Sequence, residues 1–464
     1  MSNLRQNSHI ILLLLVSQTT FGRELLLEDV LLSSRKNFPS VLEQVEKIAA
    51  TEGEVQESRG AFDIKLKSEF LGDVSGYYDG LQSKTYLQSQ IPMPGNIDLF
   101  GGYRRSFGAF PVYEGGLLTM DGGEIFAGAR IDLLRNFGLD EQRLKLSLAN
   151  RKLDLEKNKL QFQLLKIQEE AAKSYWDWVS SGFILATFEG LYQISLDRDQ
   201  AIQKRIKSGD LAEIFGVENQ QNILQRKSDM QNAEQVFFNT AQQLAIYYRD
   251  QNGVSIVPAK ENLPRSFQTD SESFENIPMD ELLSKRPEIV QIEYEKSMVN
   301  DQVSFSKSQL LPRLDLQGQV KKDMGQGPVE LRGNETELML NFEFPFQNRK
   351  ARGLTNRFEA LQKALNYQQV LMKDQIRIRI VQNQKNLSIA REVIQNLEKE
   401  VKLAQALQSA EVKRWQNGDS DFFLINIREQ TMARSQVQWA KTALFLQKSV
   451  AEFNNLTMKY PFNQ

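Results

Sequence analysis

The sequence contains no cysteine and a single histidine, His9, among 464 residues. Without thiols there is no disulfide framework, no thiolate nucleophile, no thiolate metal site and no lipid-modified cysteine. His9 falls within residues 1–22, which read as a secretory signal: Arg5 in a short basic region, an apolar run from Ile10 to Val16, then small and polar residues ending at Gly22. That run is too short to span a bilayer or to serve as an ordinary core helix. Removal of the signal would leave a chain beginning at Arg23 with neither His nor Cys, which excludes Ser-His-Asp and Cys-His chemistry and the usual zinc sites. Charge of one sign is also lacking: 57 basic and 59 acidic residues give a net charge of -2, so nothing attracts a nucleic acid. The many acids leave carboxylate pairs of the glycosidase kind open by inventory, but their placement favours none. An enzyme is the least supported reading, and no cofactor is expected. Beyond the signal no apolar stretch approaches the length of a membrane helix, and the mean hydropathy is -0.44. If the protein enters a membrane, it does so as a β-barrel.

What the sequence does have is a duplication. At an offset of 209 residues, Lys204-Arg205-x-x-x-Gly209-Asp210 falls on Lys413-Arg414-x-x-x-Gly418-Asp419, with Ala201 on Ala410 and Gln221 on Gln430. A looser match pairs Phe38-Pro39 with Arg286-Pro287, each opening about 20 helical residues ahead of a strand-like segment. The expected organisation is a first repeat over 23–250, a belt-like connection over 251–278 containing Pro258, Pro264 and Pro278, and a second repeat over 279–464. Each repeat contains a helix, strands and a long helical hairpin.

The helical stretches carry the narrow seam of a coiled coil. Leu387, Ala390, Ile394, Leu397, Val401 and Ala404 step by alternating threes and fours, as do Leu153, Leu160, Leu164, Ile167 and Ala171. The pattern predicts helices over 25–58, 140–208, 210–249, 280–308, 349–417 and 419–456. At roughly 1.5 Å per residue, each long helix reaches about 100 Å and its return only about 60 Å, so a shorter helix must fill each deficit. Trp176 and Trp178 are expected to pack between helices rather than to stack on a ligand.

Four segments alternate with period two: 64–70, 125–133, 314–319 and 338–344. Strands of 9 to 11 residues suit a tilted membrane-spanning wall. Four strands cannot close on themselves and open edges are not tolerated in lipid, so the barrel would be shared; three chains would supply twelve strands. Two ordinary soluble hairpins on a helical protein are the alternative. The 73–124 stretch between the first two segments reads as a long insertion lying outside the cell.

These pieces resemble the TolC-like outer-membrane efflux protein family over the whole chain after the signal. The resemblance rests on Leu27-Glu28-Asp29-Val30 leading to Asn37-Phe38-Pro39, on Arg286-Pro287-Glu288-Ile289, on Leu311-Pro312-Arg313-Leu314, and on the duplicated Arg-x-x-x-Gly blocks. It implies a mainly α fold, a long antiparallel coiled-coil α-barrel with four strands per chain completing a 12-stranded trimeric barrel. It also implies a homotrimer in outer-membrane lipid, its helical tunnel in the periplasm. Such a channel would export small molecules or proteins with a periplasmic adaptor and an inner-membrane RND or ABC-type transporter. In that reading Arg205, Gly209, Arg414 and Gly418 form the adaptor-docking turns. The family prototype has acidic rings six and nine residues past the second glycine; here those positions are Leu424 and Ile427, and the first-half partner of the former is Phe215. An apolar pore constriction of Leu424, Ile427 and Phe215 is therefore expected. Asp419 and Asp421 do not make a calcium loop, because Phe422 and Arg428 stand where one needs Gly and Glu. The competing function is a non-conducting periplasmic scaffold built from the same coiled coils.

Overall fold

The structure, a computed structural model, describes residues 23–73, 75–111, 116–267 and 278–460. The expected signal at 1–22 lies outside these. The long helices fall where the coiled-coil seam placed them. They are α3 (Glu141–Lys207), whose return is α4 (Glu213–Ala245), and α7 (Arg349–Gln416), whose return is α8 (Phe422–Leu456). Asp140 starts α3 by accepting from the backbone amides of Gln142 and Arg143 at 2.9 and 3.0 Å, and it pairs with the Arg143 guanidinium.

Two helices expected to be continuous are broken. The 25–58 stretch forms α1 (Leu27–Asn37) and α2 (Pro39–Arg59), and the 280–308 stretch forms α5 (Met279–Lys285) and α6 (Pro287–Ser308). Both breaks fall immediately before proline. Proline clashes with a helical conformation of the preceding residue, and Phe38 and Arg286 are accordingly extended, with ψ of 126° and 129°. A proline at the first helical position then starts the next helix without losing a hydrogen bond.

The described residues divide into two compact units, one drawn from within 1–38, 167–273 and 382–455, the other from within 39–166, 274–381 and 456–464. The first, the hairpin unit, holds α1, α4, nearly all of α8 and the C-terminal parts of α3 and α7. Ser181 meets Thr240 (2.7 Å) between α3 and α4, and Lys448 pairs with Asp177 (2.6 Å) between α8 and α3. Trp176 stacks on Phe267 with ring centroids 5.4 Å apart, and Trp178, wholly buried, stacks on Phe237. These tryptophans are packing residues, as expected. The described part of the 251–278 connection bonds to the segment ahead of α1: Asn262 accepts from the Leu25 amide at 2.8 Å and donates to the Arg23 carbonyl at 2.9 Å.

The second, the sheet unit, packs α2 and α6 along the N-terminal part of α3. Gln44 donates to the Glu156 carboxylate (2.8 Å), and Asn158 to the Pro287 carbonyl (2.7 Å). Leu282, Leu283 and Ile289 bury against Ile376, Ile380 and Leu456. Its β-structure corrects the expected count of four strands. Six strands form one antiparallel sheet in chain order: β1 (Lys65–Gly72), β2 (Leu81–Gln90), β3 (Asp98–Phe107), β4 (Glu124–Asp132), β5 (Arg313–Asp323) and β6 (Asn334–Glu343). The four expected segments are β1, β4, β5 and β6. The stretch 73–124 supplies β2 and β3, hydrogen-bonded between β1 and β4. The signal was hidden because Ser83 and Thr85 interrupt the apolar face of β2, and Gly101-Gly102 and Arg104-Arg105 give β3 the composition of a loop. Gly102 is there for space: a Cβ would lie 2.2 Å from the Thr85 carbonyl oxygen of β2.

The two faces of the sheet differ in kind. One carries Leu66 and Phe70 of β1, Ile125 of β4, and Leu338, Leu340 and Phe342 of β6, all largely exposed. The other is polar and internally bonded: Arg104 pairs with Glu124 at 2.8 Å, Arg130 with Asp98 at 3.6 Å, and Lys321 with Glu337.

Candidate functional site: the two helix reversals

The duplicated blocks form the ends of α3 and α7, and the backbone does the same thing in each. The amide of Gly209 donates to the Ile206 carbonyl (3.0 Å) and that of Asp210 to the Arg205 carbonyl (2.9 Å). Gly418 donates to Trp415 (3.1 Å) and Asp419 to Arg414 (2.9 Å). This nested pair of bonds is a Schellman ending, which needs a left-handed residue after the helix. Gly209 and Gly418 supply it, with φ of +84° and +85°, and a Cβ at either would meet nothing within 4 Å. Glycine is thus required for conformation rather than for space. A side chain there costs about 1–2 kcal/mol in backbone strain.

The arginines of the two blocks are placed differently. Arg205 is half-buried, whereas Arg414 is exposed and folds over its own turn, donating to the Asp419 carbonyl at 3.1 Å. Asp421 starts α8 by accepting from the Leu424 amide at 2.7 Å, an N-cap that uses the carboxylate locally. Ser420 donates to Glu411 at 2.5 Å.

The three residues expected at a constriction lie on α4 and α8. Phe215 packs against a cluster of Ile202, Phe422 and Ile425, together with Leu211 and Trp415. Leu424 is half-buried, and Ile427 is 37% exposed. Phe423, one turn before Ile427, is 71% exposed and was not singled out from the sequence. Its spacing of four from Ile427 marks a shared apolar face of α8.

Behind the reversals lies a buried charge cluster that the sequence reading also missed. Glu429 of α8 is fully buried and holds two guanidinium groups, Arg198 of α3 and Arg226 of α4, the latter at 2.8 Å. Asn426 accepts from both, at 3.0 and 3.1 Å, and Arg226 also donates to the Leu191 carbonyl at 3.1 Å. The Arg198 guanidinium sits 5.8 Å from the Phe422 ring centroid. Burial pushes the Arg226 guanidinium below its ordinary pKa, and the Glu429 charge opposes this. Three helices are thereby tied by one carboxylate. A signal existed: Gly216, Asn219, Ile223 and Arg226 step by 3, 4 and 3 along α4, and Phe422, Ile425 and Glu429 step by 3 and 4 along α8. A charge standing in a seam position is a charge committed to a partner.

Two long helical hairpins joined to one antiparallel sheet give this chain a fold similar to that of solved outer-membrane channels. Among solved structures, the outer-membrane channel OprN matches at a TM-score of 0.68 and 11% identity, over 93% of this chain and 89% of that one. The open state of the Neisseria gonorrhoeae MtrE outer membrane channel matches at 0.67 and 13%, over 93% and 88%. The Campylobacter jejuni CmeC outer membrane channel matches at 0.65 and 12%, over 93% and 85%. No family model and no curated protein matches the sequence.

Proposed function

We propose that this protein is a channel subunit of a bacterial outer membrane, three copies of which close a transmembrane barrel continued by a helical tunnel in the periplasm. The observation that carries the reading is the two-faced sheet: an exposed apolar face, a polar face bonded within itself, and two edge strands, β1 and β6, each with no second partner strand among the described residues. A sheet edge left open in hydrocarbon would strand its amides and carbonyls, so closure by further copies follows from membrane insertion. The likeness in fold to solved outer-membrane channels supports the same reading.

The duct serves efflux of small molecules or secretion of proteins, and works with a periplasmic adaptor and an inner-membrane RND or ABC-type transporter. The reversals at Gly209 and Gly418, with Arg205 and Arg414, are the adaptor contact. The resting pore is narrowed by Leu424, Ile427 and Phe215, and an apolar ring blocks ions by dewetting. Purified protein reconstituted in planar bilayers tests the reading against a non-conducting scaffold. Discrete conductance steps and a trimeric mass by light scattering are expected; a soluble monomer that neither inserts nor conducts would refute it.

A further inference from the structure

We propose that β2 and β3 are membrane wall, touched by lipid hydrocarbon on one side, so that three copies of this chain close a barrel of eighteen strands rather than twelve. The inference rests on the channel reading above and adds to it the number of strands and the width of the lumen.

Register is the first support. The row of paired residues that starts at Lys65 in β1 runs through Gln88, Phe100, Gly128 and Gln319 to Glu337 in β6. Lys65 is the first residue of β1, whereas Glu337 lies six positions before the last residue of β6, Glu343. Both ends adjoin helices, and the lower ends of the intervening strands step down progressively between them. A slip of six residues across five strand spacings, at about 3.3 Å and 4.8 Å respectively, corresponds to strands tilted about 40°. That is the tilt of a closed transmembrane wall, and β2 and β3 follow it without interruption. Ten residues at this tilt rise about 25 Å, the height of the apolar band of an outer-membrane barrel.

The faces agree. Outward on β2 and β3 stand Leu81, Leu87, Leu99, Tyr103 and Phe107, in cross-strand register with Leu66 on one side and with Ile125 on the other. Arg105, the single charge on this face of the pair, lies near the upper end of β3, where its head can reach the interface. Inward, Gln88 donates to Asp98 at 2.5 Å, and Asp98 pairs with Arg130 of β4, so polar bonds cross all three strands. The turn joining β2 to β3 is fastened at the helix end of the sheet: Gly95 donates to the Phe137 carbonyl and accepts from the Asp132 amide, each at 2.7 Å. A hairpin lying outside the cell would not return to that end.

At the same tilt and spacing, eighteen strands enclose a ring about 36 Å across the backbone, against about 24 Å for twelve.

The absence of cysteine makes the test direct. Single variants Leu87→Cys in β2 and Leu99→Cys in β3, with Ile125→Cys in β4 and Leu340→Cys in β6 as references, are nitroxide-labelled and reconstituted in phospholipid vesicles. Accessibility to dissolved oxygen is then compared with accessibility to a water-soluble nickel chelate. The expected result is a lipid signature at all four positions, and eighteen strands counted by electron cryomicroscopy of the same trimer. Lipid at Ile125 and Leu340 but water at Leu87 and Leu99 would overturn the eighteen-strand wall while leaving the channel intact. Water at all four would overturn the channel reading with it.

Discussion

Glu429→Gln removes the carboxylate that holds Arg198 and Arg226 while keeping its shape. Glu429 is 0% exposed, Arg226 5% and Arg198 7%, so water cannot take the place of the lost charge. Breaking a buried ion pair leaves an uncompensated charge and costs about 3–5 kcal/mol; the amide oxygen of Gln still accepts one hydrogen bond, which places the variant near 3 kcal/mol. If that loss is local to the junction of α3, α4 and α8, opening of these helices becomes about a hundredfold more frequent. Hydrogen exchange read peptide by peptide should show this acceleration at 191–202, 219–230 and 422–433, with exchange in the β-sheet unchanged. A triple variant, Arg198→Met, Arg226→Leu and Glu429→Leu, should recover most of the protection, because an apolar core of similar volume needs no charge compensation. Protection in Glu429→Gln within tenfold of wild type would refute the reasoning, as would a triple variant less protected than the single one.

Gly209→Val with Gly418→Val should abolish export while trimer and barrel persist, since both sites are exposed and only the left-handed backbone is denied; normal export in cells would show that the reversals are not the docking contact. Leu424→Ser with Ile427→Ser should raise resting conductance in planar bilayers, because hydroxyls keep water in the constriction, whereas wild-type block by micromolar trivalent cations would mean that carboxylates line it. Tyr247, stacked on Phe38 and bonded to Glu170, has its pKa pushed up to about 12 by burial and by that carboxylate. The unfolded tyrosine ionises near 10, so its contribution to stability is complete below pH 10 and is lost as pH rises toward 12. Tyr247→Phe should therefore flatten the alkaline fall in urea stability over that range, and an unchanged slope would count against the assignment.

The helices were legible because a seam of threes and fours is a long signal, repeated over dozens of residues, and because a Gly after a basic last turn marks a stop. Their breaks at Phe38 and Arg286 were legible in principle, since a proline restricts the residue before it whatever the periodicity says. A strand is most legible where one face is uniformly large and apolar. β6, with Leu338, Leu340 and Phe342 in alternation, could be read. β3 could not, because its outward face includes Gly101 and its inward face Gly102, and the need for glycine arises from a neighbouring strand that local sequence does not display. The Arg198–Glu429–Arg226 cluster joins residues more than 200 positions apart, so periodicity could name each member as anomalous but not pair them.

The two Schellman endings have near-identical backbones, φ of +84° and +85° with matching hydrogen bonds, but unlike side chains: Arg414 clasps its own turn, and Arg205 is half-buried. In a trimer this gives six reversals with two possible symmetries. A partner that grips main chain and helix ends would meet a nearly sixfold ring and could bind six copies through one type of contact. A partner that reads the arginines would meet a threefold ring of alternating sites, and would bind three copies or six in two unequal environments. The stoichiometry of such a complex would then be set by whether recognition is by backbone or by side chain, and exchanging the Arg205 and Arg414 surroundings between halves would convert one answer into the other.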